Sequence, residues 1–518
     1  LIGTETLISG PVRRGLNRLR GAYAAAVALL AGALQPLALA PFNLWPLALV
    51  GLGLFSLLLF KVTRRRAALV AGCFGVGLYG VGASWVYVAI HQFGGASVLL
   101  AGLLTLVFVV AMAAVYALPF VLSSKLLGYG RLGILLVFPA CCLLGEWLRS
   151  WLLTGFPWLY TGYGHIHTPL AGWAPLLGVL GVGYIATFSA ATVASWCFFV
   201  RPSGNLIVAS AMVLALWLAG WQLHGVPWTR INHDAPVTVA MVQPNIAQEI
   251  KWDPAHAQPT LERLQHLSEP HWDADWLIWP EAAIPLTYHR ALDFLNAVSR
   301  RASETDTGLI TGIIYDDPQQ RRYYNSLAGL GDALGIYHKR RLVPFGEYVP
   351  LAKWLRGTIE FFDLPTSYIN QGPEQQSGLS VNGIAIAPSI CYEVVYPALV
   401  AESAHNSNVL MTVSNDAWFA DSIGPLQHLQ MAQMRALETG RYMVRSTNNG
   451  VSAIVNPYGD IEGKTRQFIA TTLTGTVYPA YGQTPFMRWG SKPLLLLAVL
   501  LLVGVYTARQ RGLMATPA

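Results

Sequence analysis

From residue 21 to residue 223 one apolar stretch follows another, broken only by short polar loops. A bilayer-crossing helix needs about 17–25 predominantly apolar residues. Stretches of that order lie near 21–38, 44–60, 67–90, 96–123, 132–152, 172–200 and 205–223, with a last one near 493–508. The expectation is a bundle of about eight transmembrane helices. Composition agrees: 53% of the 518 residues are hydrophobic and 12% are charged, against about 25% charged in an ordinary soluble domain.

The basic loops sort by side. The N-terminal Arg13, Arg14, Arg18 and Arg20 fall in one set with Lys61 and Arg64 to Arg66, Lys125 and Arg131, Arg201, and the tail's Arg509 and Arg511. The alternate loops near 39–43, 91–95 and 153–170 hold no Lys or Arg. Cytoplasmic loops carry the excess of basic residues, so both termini are expected in the cytoplasm. The net charge of +7 is thus spent on membrane orientation, and nucleic acid is not the partner it implies. The basic start followed by 21–38 reads as a first anchor, because further spans follow at once.

Residues 153–170 read LTGFPWLYTGYGHIHTPL. They suit either an aromatic belt at the interface or a lip in contact with lipid. Glu146 and Arg149, three apart on one helix, are expected to form a local ion pair.

Most acids lie between Asp234 and Glu462. The chain therefore divides into a membrane domain over 1–232, a soluble domain over 233–482 and a final span with its tail over 483–518. The soluble domain sits between spans seven and eight, hence on the outer face, which in a bacterium is the periplasm. Alternating apolar runs predict strands near 235–244, 276–279, 309–315, 326–330, 384–390, 409–413 and 451–455. Helices are expected near 257–268, 289–303 and 425–442, which together argue a layered α/β domain. Residues 363–380 read as a long flexible loop.

Phosphate-binding loops, H-E-x-x-H, C-x-x-C and G-x-S-x-G are all missing, so no metal or cofactor is called for. Three candidates remain. Cys391, the sole cysteine of the polar half, closes the strand in GIAIAPSICYE. Glu281 sits in WPEAAIP and Lys339 in YHKRRLVPFGEYVP. Cysteine attacks as thiolate and needs a base, a role open to Glu281 if burial raises its pKa toward working pH. The oxyanion that follows needs fixed positive charge, which Lys339 can supply. Plainer readings stand beside these: a small buried cysteine, a helix-start acid, and a solvated basic run with Arg340 and Arg341. His338 offers a Cys–His alternative.

Taken together, MVQPN, WPEAAIP, YNSLAGL, YHKRRLVPFGEYVP, ICYE, SNDAWF and RALETGRYMVRSTNNGVSAIVNPYGDI resemble, in order, the nitrilase (carbon–nitrogen hydrolase) superfamily. With FPWLY and LALAPFNLWPLA in the spans, the whole chain resembles its membrane-bound branch, the apolipoprotein N-acyltransferases of the bacterial inner membrane. The resemblance implies a nitrilase-like α-β-β-α sandwich and a Glu281–Lys339–Cys391 triad. It implies a phospholipid as acyl donor, a Cys391 thioester, and an apolipoprotein with a diacylglyceryl N-terminal cysteine as acceptor. It also gives Glu347 and Glu393 supporting roles, and makes Tyr392 and Trp252 pocket residues. The rivals are a membrane-tethered amidase acting on small amides, and a transporter or scaffold with an inactive outer domain.

Overall fold

The structure, a computed structural model, describes residues 23–198, 203–349, 357, 368–376 and 378–511. The N-terminal arginines, Arg201 and residues 363–367 and 377 of the expected loop lie outside them. The chain divides into two compact units. One takes in the described residues up to Ser84, Gly102–Val226 and those from Trp489 on; the other takes in Trp85–Ala101 and Pro227–Arg488.

Among the described residues, five helices are long and apolar enough to cross a membrane: Val98–Leu122, Gly130–Leu148, Pro169–Cys197, Gly204–His224 and Lys492–Gln510. A sixth is obtained if Arg64–Gly82 and Trp85–Phe93 count as one broken span. The expectation of about eight is thus not confirmed among the described residues, where two further apolar helices, Ala24–Ala38 and Trp45–Leu58, are shorter. The reason is local. The helix Ala24–Ala33 gives way to a tight turn over Gln35–Ala38 with Pro36 at its start. Trp45–Leu58 has 14 residues, a rise of about 21 Å at 1.5 Å per residue, short of a hydrocarbon core of about 30 Å.

Glu146 and Arg149 do not pair with each other. Glu146 Oε1 accepts from the Thr161 amide at 2.8 Å and its hydroxyl at 2.9 Å. Arg149 donates to the carbonyls of Phe156 and Leu159 at 3.0 Å each, and to that of Trp158. The two charges staple the FPWLYT segment to its helix. Trp158, Tyr160 and Tyr163 are each 1% exposed, so these rings pack inward, while Leu153 of the same stretch is 84% exposed.

The second unit is built on two sheets. One has six strands, with Val237–Gln243, Trp276–Ile278 and Gly308–Asp317 parallel and adjacent. The other has seven, with Ile384–Ile390, Val409–Ser414 and Met443–Thr447 parallel at its centre. Strand side chains alternate between faces. Val237, Val239 and Met241 therefore join Ile386, Ile390, Val409, Met411 and Val444 in the core between the sheets. Ala240 and Val242 turn the other way, onto Leu261, Leu264, Leu295 and Val298 of the helices Ala257–Ser268 and Leu292–Glu304. The helices Pro397–Ala404 and Gly424–Thr439 pack on the second sheet. The result is the expected α-β-β-α sandwich.

The last of these helices stops at Thr439, earlier than expected, because Gly440 turns left-handed at φ 60°, a common helix ending. The described part of the expected flexible loop is pinned: Gln376 accepts from the His338 amide and donates to its carbonyl, both at 2.7 Å.

Candidate active site

Parallel strands deliver their following residues to one edge of a layered α/β domain, where ligand sites form. Glu281 lies just beyond Trp276–Ile278, Lys339 directly after Ile336–His338, and Cys391 directly after Ile384–Ile390. Asn415 and Asp416 follow Val409–Ser414 in the same way.

Lys339 is 1% exposed. Its Nζ lies 2.8 Å from Glu347 Oε1 and 3.3 Å from Glu281 Oε1. Asn325 Nδ2 bridges the same two oxygens, donating at 2.8 Å to Glu281 and 2.9 Å to Glu347. The second Glu281 oxygen accepts the Asn415 amide at 2.8 Å, and the second Glu347 oxygen accepts the Val343 amide at 2.8 Å. The turn carrying Glu281 is tight. Ala282 has φ 45°, and Gly312 lies so close that a Cβ there would strike the Pro280 carbonyl.

Cys391 occupies the left-handed region at φ 51°, which costs a non-glycine residue about 1–2 kcal/mol. Two contacts hold it there. Glu393 Oε2 accepts the Ile390 amide at 2.8 Å, and His428 Nε2 donates to the Cys391 carbonyl at 3.1 Å. Glu393 Oε1 also accepts from the Arg340 amide at 2.7 Å, the Arg341 amide at 3.1 Å and the Tyr337 hydroxyl at 3.0 Å. One carboxylate thus ties the cysteine turn to the lysine loop. His428 is backed by Asp416, 3.2 Å from its Nδ1, and Asp416 is held by Arg445 at 2.6 Å.

The electrostatics assign the resting proton. Burial pushes the Cys391 thiol well above its ordinary value; Glu281 adds to this and Lys339 opposes it. Burial would also raise Glu281, but the Lys339 charge, with Asn325, Lys251 and the Asn415 amide, outweighs it and holds the carboxyl below its usual range. That reverses the expectation that burial raises Glu281 toward working pH. Burial would lower Lys339, yet Glu347, Glu281 and the Cys391 sulfur hold it above its ordinary value. Burial raises Glu393 despite its four donors. At neutral pH the group is a thiol beside an ion pair. Glu281 can accept the sulfur proton only as the sulfur forms a new bond.

Of the remaining expected residues, Tyr392 is buried and sets its ring edge-on to Tyr396 at 5.4 Å. Trp252 is 41% exposed and outside the hydrogen-bonded cluster; its neighbour Lys251 is inside it. His338 does not serve the sulfur: its Nδ1 lies 2.7 Å from Ser326 Oγ. Sequence reasoning missed Asn325, Lys251, Asn415 and His428. Asn325 lay within the YNSLAGL motif and Asn415 within SNDAWF, but only the folded chain aims them at Glu281.

Comparison with known proteins follows the same division of the chain. A family model described as the apolipoprotein N-acyltransferase N-terminal domain matches residues 31–192, and one described as carbon-nitrogen hydrolase matches 238–484. A protein of Azotobacter vinelandii named apolipoprotein N-acyltransferase is 46% identical over 497 residues, 95% of this chain and 96% of its own. A Pseudomonas putida protein of that name is 47% identical over 434 residues, 83% of this chain and 86% of its own. One from Coxiella burnetii is 41% identical over 437 residues, 83% of this chain and 89% of its own. With identity at this level running through both the membrane half and the sandwich, the chain belongs to the apolipoprotein N-acyltransferase family.

Proposed function

We propose that this protein is a phospholipid:apolipoprotein N-acyltransferase working through a Cys391 thioester. In the first step Cys391 Sγ attacks the ester carbonyl of a phospholipid while Glu281 takes the sulfur proton. Lys339 steadies the oxyanion of the tetrahedral intermediate. The C–O bond breaks, Glu281 returns the proton to the glycerol oxygen, and a lysophospholipid leaves. In the second step the free α-amine of an S-diacylglyceryl cysteine attacks the thioester carbonyl. Glu281 receives the amine proton and passes it to the departing sulfur, leaving an amide and a free thiol. Glu347 and Glu393 orient the lysine and the cysteine. Tyr392 and Trp252 are the pocket residues of this reading.

One observation carries the reading over a membrane-tethered amidase. The relatives of this name match along the membrane half as well as the sandwich. An amidase acting on small polar amides has no use for that half. A fatty chain of about 15 methylenes partitions with about 12 kcal/mol at 0.8 per CH₂, so an enzyme that draws its donor from the bilayer avoids that cost.

In this reading the protein resides in the bacterial inner membrane with the sandwich in the periplasm. Both termini in the cytoplasm require an even number of crossings. The six obtained with the bent pair satisfy this, and the two short helices, taken together, leave the parity unchanged.

The test supplies purified enzyme with radiolabelled phospholipid and a synthetic diacylglyceryl lipopeptide. Label in the lipopeptide amide, with lysophospholipid in equal amount, is the expected result. Label released as free fatty acid at the same rate with and without lipopeptide would return the reading to a hydrolase.

A further inference from the structure

Lys251 follows the strand Val237–Gln243 and is 4% exposed. Its Nζ donates to the main-chain oxygen of Glu281 at 3.1 Å. Among the described residues that is its one hydrogen bond, and an ammonium has three N–H groups. A buried lysine whose side chain meets no carboxylate is unusual.

The charges around it explain why it is tolerated. Glu281 and Glu347 bring two negative charges, and Lys339 brings one positive. A buried set with net charge is costly. Lys251 balances these three charges; Glu393, also acted on by Lys339, lies beyond them. Proton transfer from Cys391 to Glu281 as the sulfur attacks then moves negative charge from the carboxylate through the sulfur to the oxyanion, within a set whose total does not change. Glu281 and Cys391 are the titratable groups that act on Lys251, and both favour its charged form. By reciprocity Lys251 favours theirs.

We propose that Lys251 is a positioning residue of the acyl-transfer site: its ammonium fixes the Glu281 turn by the main-chain carbonyl and supplies the second positive charge against which negative charge moves between Glu281 and the Cys391 sulfur. This rests on the acyltransferase reading above. Burial lowers Lys251 to about 8, with Glu281 and then Cys391 opposing. The cation is therefore present at pH 7 and is lost as pH rises through about 8.

The test is single-turnover loading of Cys391 with an acyl chain, followed by intact mass from pH 6 to 9.5, using the full chain in detergent–phospholipid micelles. Wild type should lose loading rate as pH rises through about 8. Lys251→Met should load at least about tenfold more slowly at pH 7, the equivalent of one pH unit, and lack that descending limb. Lys251→Arg, charged throughout, should load well and also lack it. A folded Lys251→Met with the wild-type rate and profile overturns the proposal alone. If Lys251→Met does not fold, persistence of the limb in Lys251→Arg overturns it. Wild type that never loads Cys391 overturns the acyltransferase reading, and this proposal with it.

Discussion

The Lys339 ammonium lies 3.3 Å from the Glu281 carboxylate in a region where the lysine is 1% exposed. Each group's charge is conditional on the other. Removing one partner of a buried pair costs about 3–5 kcal/mol, and Lys339→Met leaves Glu281 and Glu347 facing each other with only Lys251, bonded to the Glu281 main chain, as cation. In wild type, Glu281 is held below its ordinary value, so its contribution to stability is present above about pH 4.5 and fades as pH falls further. In the variant, burial and like charge raise the carboxyl instead, so stability is lost as pH rises through the raised value. Thermal melts should therefore fall toward acid below about pH 4.5 in wild type and fall as pH rises above it in the variant, and the variant should form no thioester. Parallel slopes would remove Lys339 from this pairing.

Asn325 holds Glu281 and Glu347 together through one amide nitrogen, at 2.8 and 2.9 Å. Hydrogen bonds to charged groups are worth about 1.5–3 kcal/mol each. Asn325→Leu keeps the volume and removes both. Acyl loading of Cys391 should slow by about 10- to 100-fold, read by stopped-time mass analysis, with the fold intact by circular dichroism.

The Glu393 carboxylate accepts three main-chain amides and one hydroxyl. Glu393→Gln is nearly isosteric but turns one acceptor into a donor facing an N–H. The loss should be about 3 kcal/mol or more in urea unfolding, with the cysteine turn loosened. Faster alkylation of Cys391 by iodoacetamide in the variant is the accompanying readout, because its left-handed turn loses a restraint.

Much of this site was legible before folding. Glu281 and Cys391 each sit at or just past the end of a readable strand, a place sequence periodicity can mark; Lys339 was legible only through its motif, because Ile336–His338 is three residues long. Asn325 was not legible, because it lies in mid-strand within Arg322–Gly331 and its use depends on what crosses above it. The strand Met443–Thr447 was hidden by Arg445, a charge in a fully buried run; only its pairing with Asp416 makes that tolerable. The span count is left unconfirmed for a related reason. Hydropathy sums residues but is blind to the turn at Pro36 and the break between Gly82 and Trp85, which set how far each helix reaches. Glu281 was misjudged in direction, since burial was visible in its apolar neighbours and the lysine 58 positions away was not weighed against it.

In the helical unit, Arg149 satisfies carbonyls of Phe156, Trp158 and Leu159 at once. Arg149→Met should orphan buried acceptors at about 1–3 kcal/mol each and lower the melting temperature in detergent. Arg149→Lys should recover only part, because an ammonium lacks the planar fork. Equal melting of the lysine variant and wild type would contradict this account of the staple.

The most direct test of the whole account is the mass of the intact protein after incubation with phospholipid alone, followed by peptide mapping. The account requires one added acyl group, carried on Cys391 as a hydroxylamine-labile thioester and absent from Cys391→Ala. An acyl group that persists in Cys391→Ala, or none on the wild type, would contradict it.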